Sequence, residues 1–181
     1  MFFIIYLLPV LYPELFVYGA EWTVPVFLLI FIFSEITDFL DGYSARKRNE
    51  TSDFGKLFDP FADTIMQLTC FLCFVIDGLL PVILFLLIIY REFGILFIRN
   101  LMLKKGITMG ASIGGKIKTV SYIIAASVAI LIAGLQRLSI FEFLLPYLRV
   151  GANVIFIISV VISILSFIDY LFIYLKAGKN T

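Results

Sequence analysis

Histidine is absent from this chain of 181 residues, tryptophan occurs once and cysteine twice. The missing imidazole excludes His-based general acid–base catalysis and the usual zinc sites, leaving carboxylates and hard cations as the available chemistry. Cys70 and Cys73 form a C-x-x-C, but they lie in the apolar run from Leu68 to Ile76 with no second pair. They are expected to be buried apolar residues rather than redox or metal ligands. Charge is also scarce, at 15% of residues against 62% hydrophobic, with a mean hydropathy of +1.08. That composition lies outside the range of soluble domains, and a net charge of +1 gives no reason to expect a nucleic-acid partner.

What remains is apolar sequence in runs of about 20 residues, the length a helix needs to cross a bilayer. Six spans can be drawn, at about Phe2–Tyr18, Thr23–Tyr43, Leu57–Ile76, Leu79–Leu103, Ile117–Leu135 and Leu145–Leu175. The expected fold is all-α: an integral membrane bundle of six transmembrane helices, forming one domain over residues 1–181. Pro9 and Pro13 interrupt the first span and predict a kinked or displaced helix there. Arg46, Lys47, Arg48 and Lys56 separate spans two and three, Lys104, Lys105, Lys116 and Lys118 surround the connection of four to five, and Lys176 and Lys179 follow span six. By the positive-inside rule these segments and both termini face the cytoplasm, as in a multi-pass protein of the inner membrane. Trp22, Tyr18 and Tyr147 fit anchoring at the membrane interface, and Asp77-Gly78 reads as a tight turn on the opposite side.

Within this apolar chain, four aspartates fall in the order D-x-x-D-G-x-x-A-R, eight residues, G-x-x-x-D-x-x-x-D: Asp38, Asp41, Gly42, Ala45, Arg46, Gly55, Asp59 and Asp63. An ionised Asp near a helix centre costs about 2.5 to 3.5 kcal/mol on insertion, so the cluster demands a compensating ligand. On a helix, Asp38, Asp41, Gly42 and Ala45 share an arc of about 100°. Asp59 and Asp63 are one turn apart on the next span, with Gly55 one turn before them. Since the two spans run in opposite directions, the four carboxylates meet at matched depth. Like charges so gathered would protonate unless a cation neutralised them. Oxygen-only ligands favour magnesium, manganese or calcium, and four carboxylates suffice for two ions, a clamp suited to phosphoryl transfer. The small residues Gly42, Ala45 and Gly55 leave room for a nucleotide against the backbone. The plainer alternative is a salt-bridge network with Arg46, Arg91 and Arg99, which the carboxylate-beside-carboxylate spacing disfavours. Glu35 and Asp169, also within spans, could join the acidic cavity or pair with an arginine.

At these positions the chain resembles the CDP-alcohol phosphotransferases, whose signature is matched at all its fixed positions from Asp38 to Asp63. The six-span layout extends the resemblance over most of the chain. It implies attack by an alcohol hydroxyl on the lipid-side phosphate of a CDP-linked donor, with release of CMP. Carried over position by position, Asp38, Asp41 and Asp59 would ligate Mg2+ or Mn2+, with Asp63 beside the metals as general base for the acceptor. Asp38, Gly42, Ala45, Arg46 and Gly55 would border the CDP moiety, with Arg46 countering the pyrophosphate. The resemblance also implies a homodimer, by analogy alone.

The acceptor is read from a second cluster: Arg91, Glu92 and Arg99 on span four, then Gly115, Lys116, Lys118 and Thr119 entering span five. Arg91 and Arg99 stand about 80° apart around a helix and can address one cavity at two depths. Guanidinium groups with ammonium support suit a phosphate dianion, so Arg91, Arg99, Lys116 and Lys118 are the candidate ligands of an acceptor phosphate. Lys104 and Lys105 fit contact with anionic lipid at the surface. These strings are similar to those of the glycerol 3-phosphate branch of the family, the bacterial phosphatidylglycerophosphate synthases. That branch implies CDP-diacylglycerol as donor and glycerol 3-phosphate as acceptor. Its members usually carry an N-x-L-T-x-x-R stretch on the first span, absent here, and the missing motif is expected to be encoded upstream of Met1. The rival acceptors are inositol phosphate, phosphatidylglycerol or an amino-alcohol. The rival class is a divalent-cation transporter, against which Gly42, Ala45 and the fixed Arg46 argue.

Overall fold

The structure, a computed structural model, describes residues 53–107 and 113–178, together with the isolated helical positions Val26, Leu29 and Phe33. Side chains are described from 60 to 107 and from 113 to 176. Four long helices follow one another: α1 (Asp53–Ile76), α2 (Val82–Lys104), α3 (Ile113–Arg137) and α4 (Leu145–Gly178), with a short 3-10 turn at Glu142–Leu144 before α4. Apart from Val26, Leu29 and Phe33 in the second, the first two expected spans lie outside the described residues, and the four described helices fall at the positions expected for spans three to six. Among the described residues there is no strand.

The α1–α2 connection is the tight turn anticipated at Asp77-Gly78. Asp77 and Gly78 donate backbone hydrogen bonds to Cys73 and Val75, and Leu79 donates to Phe74, at 2.8 to 3.0 Å. Gly78 takes a positive φ of 69°, which a residue without Cβ adopts at no steric cost. Leu79 and Leu80 are buried in the turn rather than opening the next helix. Pro81 explains the difference from the expected start at Leu79, because it disfavours helical backbone in the residue before it while its own fixed φ suits the cap position it occupies.

α4 packs against both α2 and α3. On α3 the residues turned inward are mostly small: Ala125, Ala126, Ala129, Ala133 and Gly134 are buried. Small side chains let helix backbones approach closely, which is how helices associate where lipid tails are as apolar as leucine. Across from them lie Ala152, Phe156 and Val160 of α4, and the space toward α1 is filled by Phe71 and Phe74. The Phe71 ring meets Tyr122 at 5.1 Å and Phe156 at 5.9 Å, both edge to face, an arrangement aromatic quadrupoles favour. Gly94 performs a similar service between α2 and α4: a Cβ there would stand 2.9 Å from the Phe167 ring.

The outward faces carry Phe97, Val120, Ile124, Leu131, Leu165 and Phe172, all more than half exposed. Arg91, Glu92, Lys118, Ser159, Ser163 and Ser166, by contrast, are buried. Both α3 and the stretch from Glu142 through α4 are long and apolar enough to cross a membrane. In α2 the length is present, but Arg91, Glu92 and Arg99 interrupt the apolar run.

Candidate active site

α1 carries Gly55, Asp59 and Asp63 at successive turns of its N-terminal half, so the three residues share one face. Asp63 is exposed, and the apolar core on the same helix is built from residues further along, among them Phe71 and Phe74. Asp38, Asp41, Gly42, Ala45 and Arg46 lie outside the described residues, as does Glu35, and no group of three metal-ligating side chains is found among the described ones. The donor set of the motif is carboxylate oxygen throughout, which fits a hard divalent cation.

The second cluster is drawn together by the fold. Arg91 and Glu92 of α2 and Lys118 of α3 are 6%, 5% and 7% exposed. One carboxylate oxygen, Glu92 Oε1, accepts from Arg91 Nη1 at 2.9 Å and from Lys118 Nζ at 2.8 Å. The carboxylate that meets Arg91 is therefore its own neighbour in sequence. Arg91 also donates through Nε to the backbone carbonyl of Ser163 at 3.1 Å and through Nη2 to Ser166 Oγ at 3.1 Å. Lys118 donates to Gln67 Oε1 at 3.1 Å and stands 4.5 Å from the centre of the Tyr122 ring. The Tyr122 hydroxyl completes the chain with a 2.7 Å bond to Ser163 Oγ. A continuous polar path thus joins all four described helices.

Arg99, two turns beyond Arg91, sits over Tyr170 of α4, with its guanidinium carbon 5.6 Å from the ring centre and Nη2 donating to the hydroxyl at 3.3 Å. Lys116 is exposed on the first turns of α3, and Asp169 is exposed on α4 near Gly114. Of the four candidate phosphate ligands, the structure unites Arg91 and Lys118 through Glu92, directs Arg99 at the same stretch of α4, and leaves Lys116 at the surface.

Several members of this network were not singled out from the sequence. Gln67 is the next turn after Asp59 and Asp63, so the polar face of α1 continues for one more step than the aspartate motif. Ser159, Ser163, Ser166 and Tyr170 all fall within an arc of about 60° on α4, a polar stripe on an otherwise apolar helix. That periodicity was present to be seen, and all four residues are buried.

A bundle with an apolar exterior, an aspartate ladder and a buried cationic cluster defines a class of membrane-embedded enzyme that handles phosphate. The chain belongs to the CDP-alcohol phosphatidyltransferase family, whose model matches residues 1–168. It is 44% identical over 148 residues, 80% of this chain and 67% of the relative, to the CDP-diacylglycerol–glycerol-3-phosphate 3-phosphatidyltransferase of Treponema pallidum. The protein of the same name from Aquifex aeolicus is 32% identical over 146 residues, 79% of this chain and 77% of that one. The one from Bacillus subtilis is 38% identical over 103 residues, and the matched region spans about half of its length, 53%.

Proposed function

We propose that this chain transfers a phosphatidyl group from CDP-diacylglycerol to glycerol 3-phosphate, giving phosphatidylglycerophosphate and CMP. The observation that carries this reading is the 3.1 Å bond between Lys118 and Gln67. It joins the cationic cluster to the helix of Asp59 and Asp63, one turn beyond the second aspartate. A phosphate recognised by the cluster then lies close to carboxylates able to activate a hydroxyl on the same small molecule. The names of the relatives point to the same pair of substrates.

In this reading Asp38, Asp41, Asp59 and Asp63 would hold Mg2+ or Mn2+, in two sites, which would supply positive charge for the phosphoryl oxygens and the leaving group. Gly42, Ala45 and Gly55 admit the CDP moiety beside the backbone and Arg46 counters its pyrophosphate. Asp63 takes the proton of the acceptor hydroxyl as that oxygen bonds to the lipid-side phosphorus. The bond from this phosphorus to the bridging oxygen breaks, and its electron pair leaves with CMP. Arg91, Arg99, Lys116 and Lys118 attract and orient the acceptor's own phosphate. The full arrangement has six spans in one domain, with the active site and both termini on the cytoplasmic side of the inner membrane, and a homodimer by family analogy.

The test is CMP release by purified protein given CDP-diacylglycerol and a panel of acceptors. Release should require Mg2+ or Mn2+, cease with chelator, and proceed far faster with glycerol 3-phosphate than with glycerol, inositol or serine. Asp63→Asn should lower turnover by about 100- to 10,000-fold while donor binding survives, because the amide keeps the shape but takes no proton. Equal rates with unphosphorylated acceptors would overturn the acceptor, and near wild-type turnover of Asp63→Asn would remove it as base.

A further inference from the structure

Among the cations of the buried cluster, hydrogen-bonding capacity is divided unevenly. Lys118 is engaged on three sides, by Glu92 Oε1, by Gln67 Oε1 and by the face of Tyr122, which accounts for the three donors of an ammonium. Arg91 spends each of its nitrogens on the protein, toward Glu92, Ser163 and Ser166. Arg99 is different. Beyond its long contact to Tyr170, its Nε is buried with no hydrogen-bond partner among the described residues. Arg91 and Lys118 share the carboxylate of Glu92, and Arg99 stands two turns further along α2 over Tyr170, so these four side chains together carry two more positive charges than negative ones, the charge a phosphate dianion would balance.

Resting on the reading that the acceptor carries a phosphate, we propose that Glu92 is a positioning residue of the acceptor site. It acts as an internal counter-anion that fixes Arg91 and Lys118, so that the cluster offers a preformed positive seat in which Arg99 supplies the open donors. Without this carboxylate, two cations sharing one oxygen would face each other in a low-dielectric interior and repel. The seat would then have to be assembled as substrate binds, and the cost would fall on acceptor affinity rather than on the donor.

The experiment measures apparent KM for both substrates in Glu92→Gln, Lys118→Met and the double variant, beside the wild type. Glu92→Gln is expected to raise the KM for glycerol 3-phosphate about tenfold or more, leaving the KM for CDP-diacylglycerol within about twofold. Because Glu92 acts through Lys118, the two substitutions should be non-additive in the acceptor KM. Should Glu92→Gln fail to accumulate in folded form, Glu92→Asp decides: the same charge one methylene shorter cannot keep both contacts, and the acceptor KM should still rise several-fold. An unchanged acceptor KM, an equal change in both KM values, or strict additivity in the cycle overturns the proposal. Failure of the parent reading looks different, since the wild type would then not use glycerol 3-phosphate preferentially at all.

Discussion

At one end of the bundle Phe71, Phe74 and Phe156 fill the space between α1, α3 and α4; at the other, Arg91, Glu92, Lys118 and the serines of α4 occupy the interior between the helices. The first filling is what packing alone would select: rings 5 to 6 Å apart and a seam of alanines that lets backbones close. The second is poor material for stability. A buried ion pair is often no better than well-packed apolar residues of the same volume, while the loss of one partner costs about 3 to 5 kcal/mol. Three charges held inside at this end, while phenylalanine and leucine line the exterior, accord with the proposed role in holding a ligand. On the proposed reading, the gradient from apolar to charged end separates what holds the helices together from what they serve.

The largest effect that separates the two ends comes from the apolar one. Phe74 is fully buried between Phe71 and Phe156, so Phe74→Ala opens a cavity and should cost about 3 kcal/mol or more of stability. Thermal or denaturant unfolding in detergent measures the loss. Both KM values should stay near wild type in the protein that remains folded. A large shift in acceptor KM would show that the two ends are not separable.

Arg99→Ala probes the other end with the opposite signature. Among the described residues Arg99 contacts mainly Tyr170 and its Nε has no partner, so its removal should disturb packing little and acceptor recognition strongly. Loss of a charge-assisted contact worth about 1.5 to 3 kcal/mol predicts a rise of about 10- to 100-fold in the KM for glycerol 3-phosphate. Arg91→Ala should combine the two signatures, because it strips partners from Glu92, Ser163 and Ser166 as well. Arg91→Lys should rescue only in part, since an ammonium cannot reproduce the fork of a guanidinium. If Arg99→Ala leaves acceptor dependence unaltered while melting the protein, Arg99 belongs with the packing residues.

How much of this was legible in the chain differs by feature. Helix positions followed from apolar run length: spans drawn at 57–76 and 145–175 match α1 at Asp53–Ile76 and α4 at Leu145–Gly178 within a few residues. The start of α3 was placed late because Gly114, Gly115 and Lys116 look like a linker, yet the helix already runs from Ile113. Tertiary contact with Ser166 and Asp169 overrides weak local propensity there. The cationic cluster was visible as charges in apolar sequence. Its internal wiring was not, because which donor takes which acceptor depends on how α2, α3 and α4 are rotated about their axes. Glu92 drew attention only as a neighbour of Arg91, and its reach to Lys118 is a fact of packing. That Asp59 and Asp63 stand one turn apart on a single helix was legible, since a spacing of four needs only the helix period.

The smallest expected effect lies at the turn where the apolar end closes. Asp77 Oδ2 accepts from Arg137 Nη2 at 3.1 Å, tying the α1–α2 turn to the end of α3 with both side chains about nine-tenths buried. This pair resembles the Glu92 contacts in chemistry but is remote from the aspartate ladder, and its partner helix termini are held by backbone bonds as well. Asp77→Asn keeps a hydrogen-bond acceptor but removes the counter-charge of Arg137, so the change should cost about 1.5 to 3 kcal/mol of stability, less than outright loss of the partner. Neither KM should move, and CMP release per folded molecule should equal that of the wild type. Buried charge alone would then not predict a role in catalysis; only charge at the end shared with Asp59 and Asp63 would. A several-fold change in acceptor KM for Asp77→Asn would erase that distinction and show that the turn transmits to the site through α3.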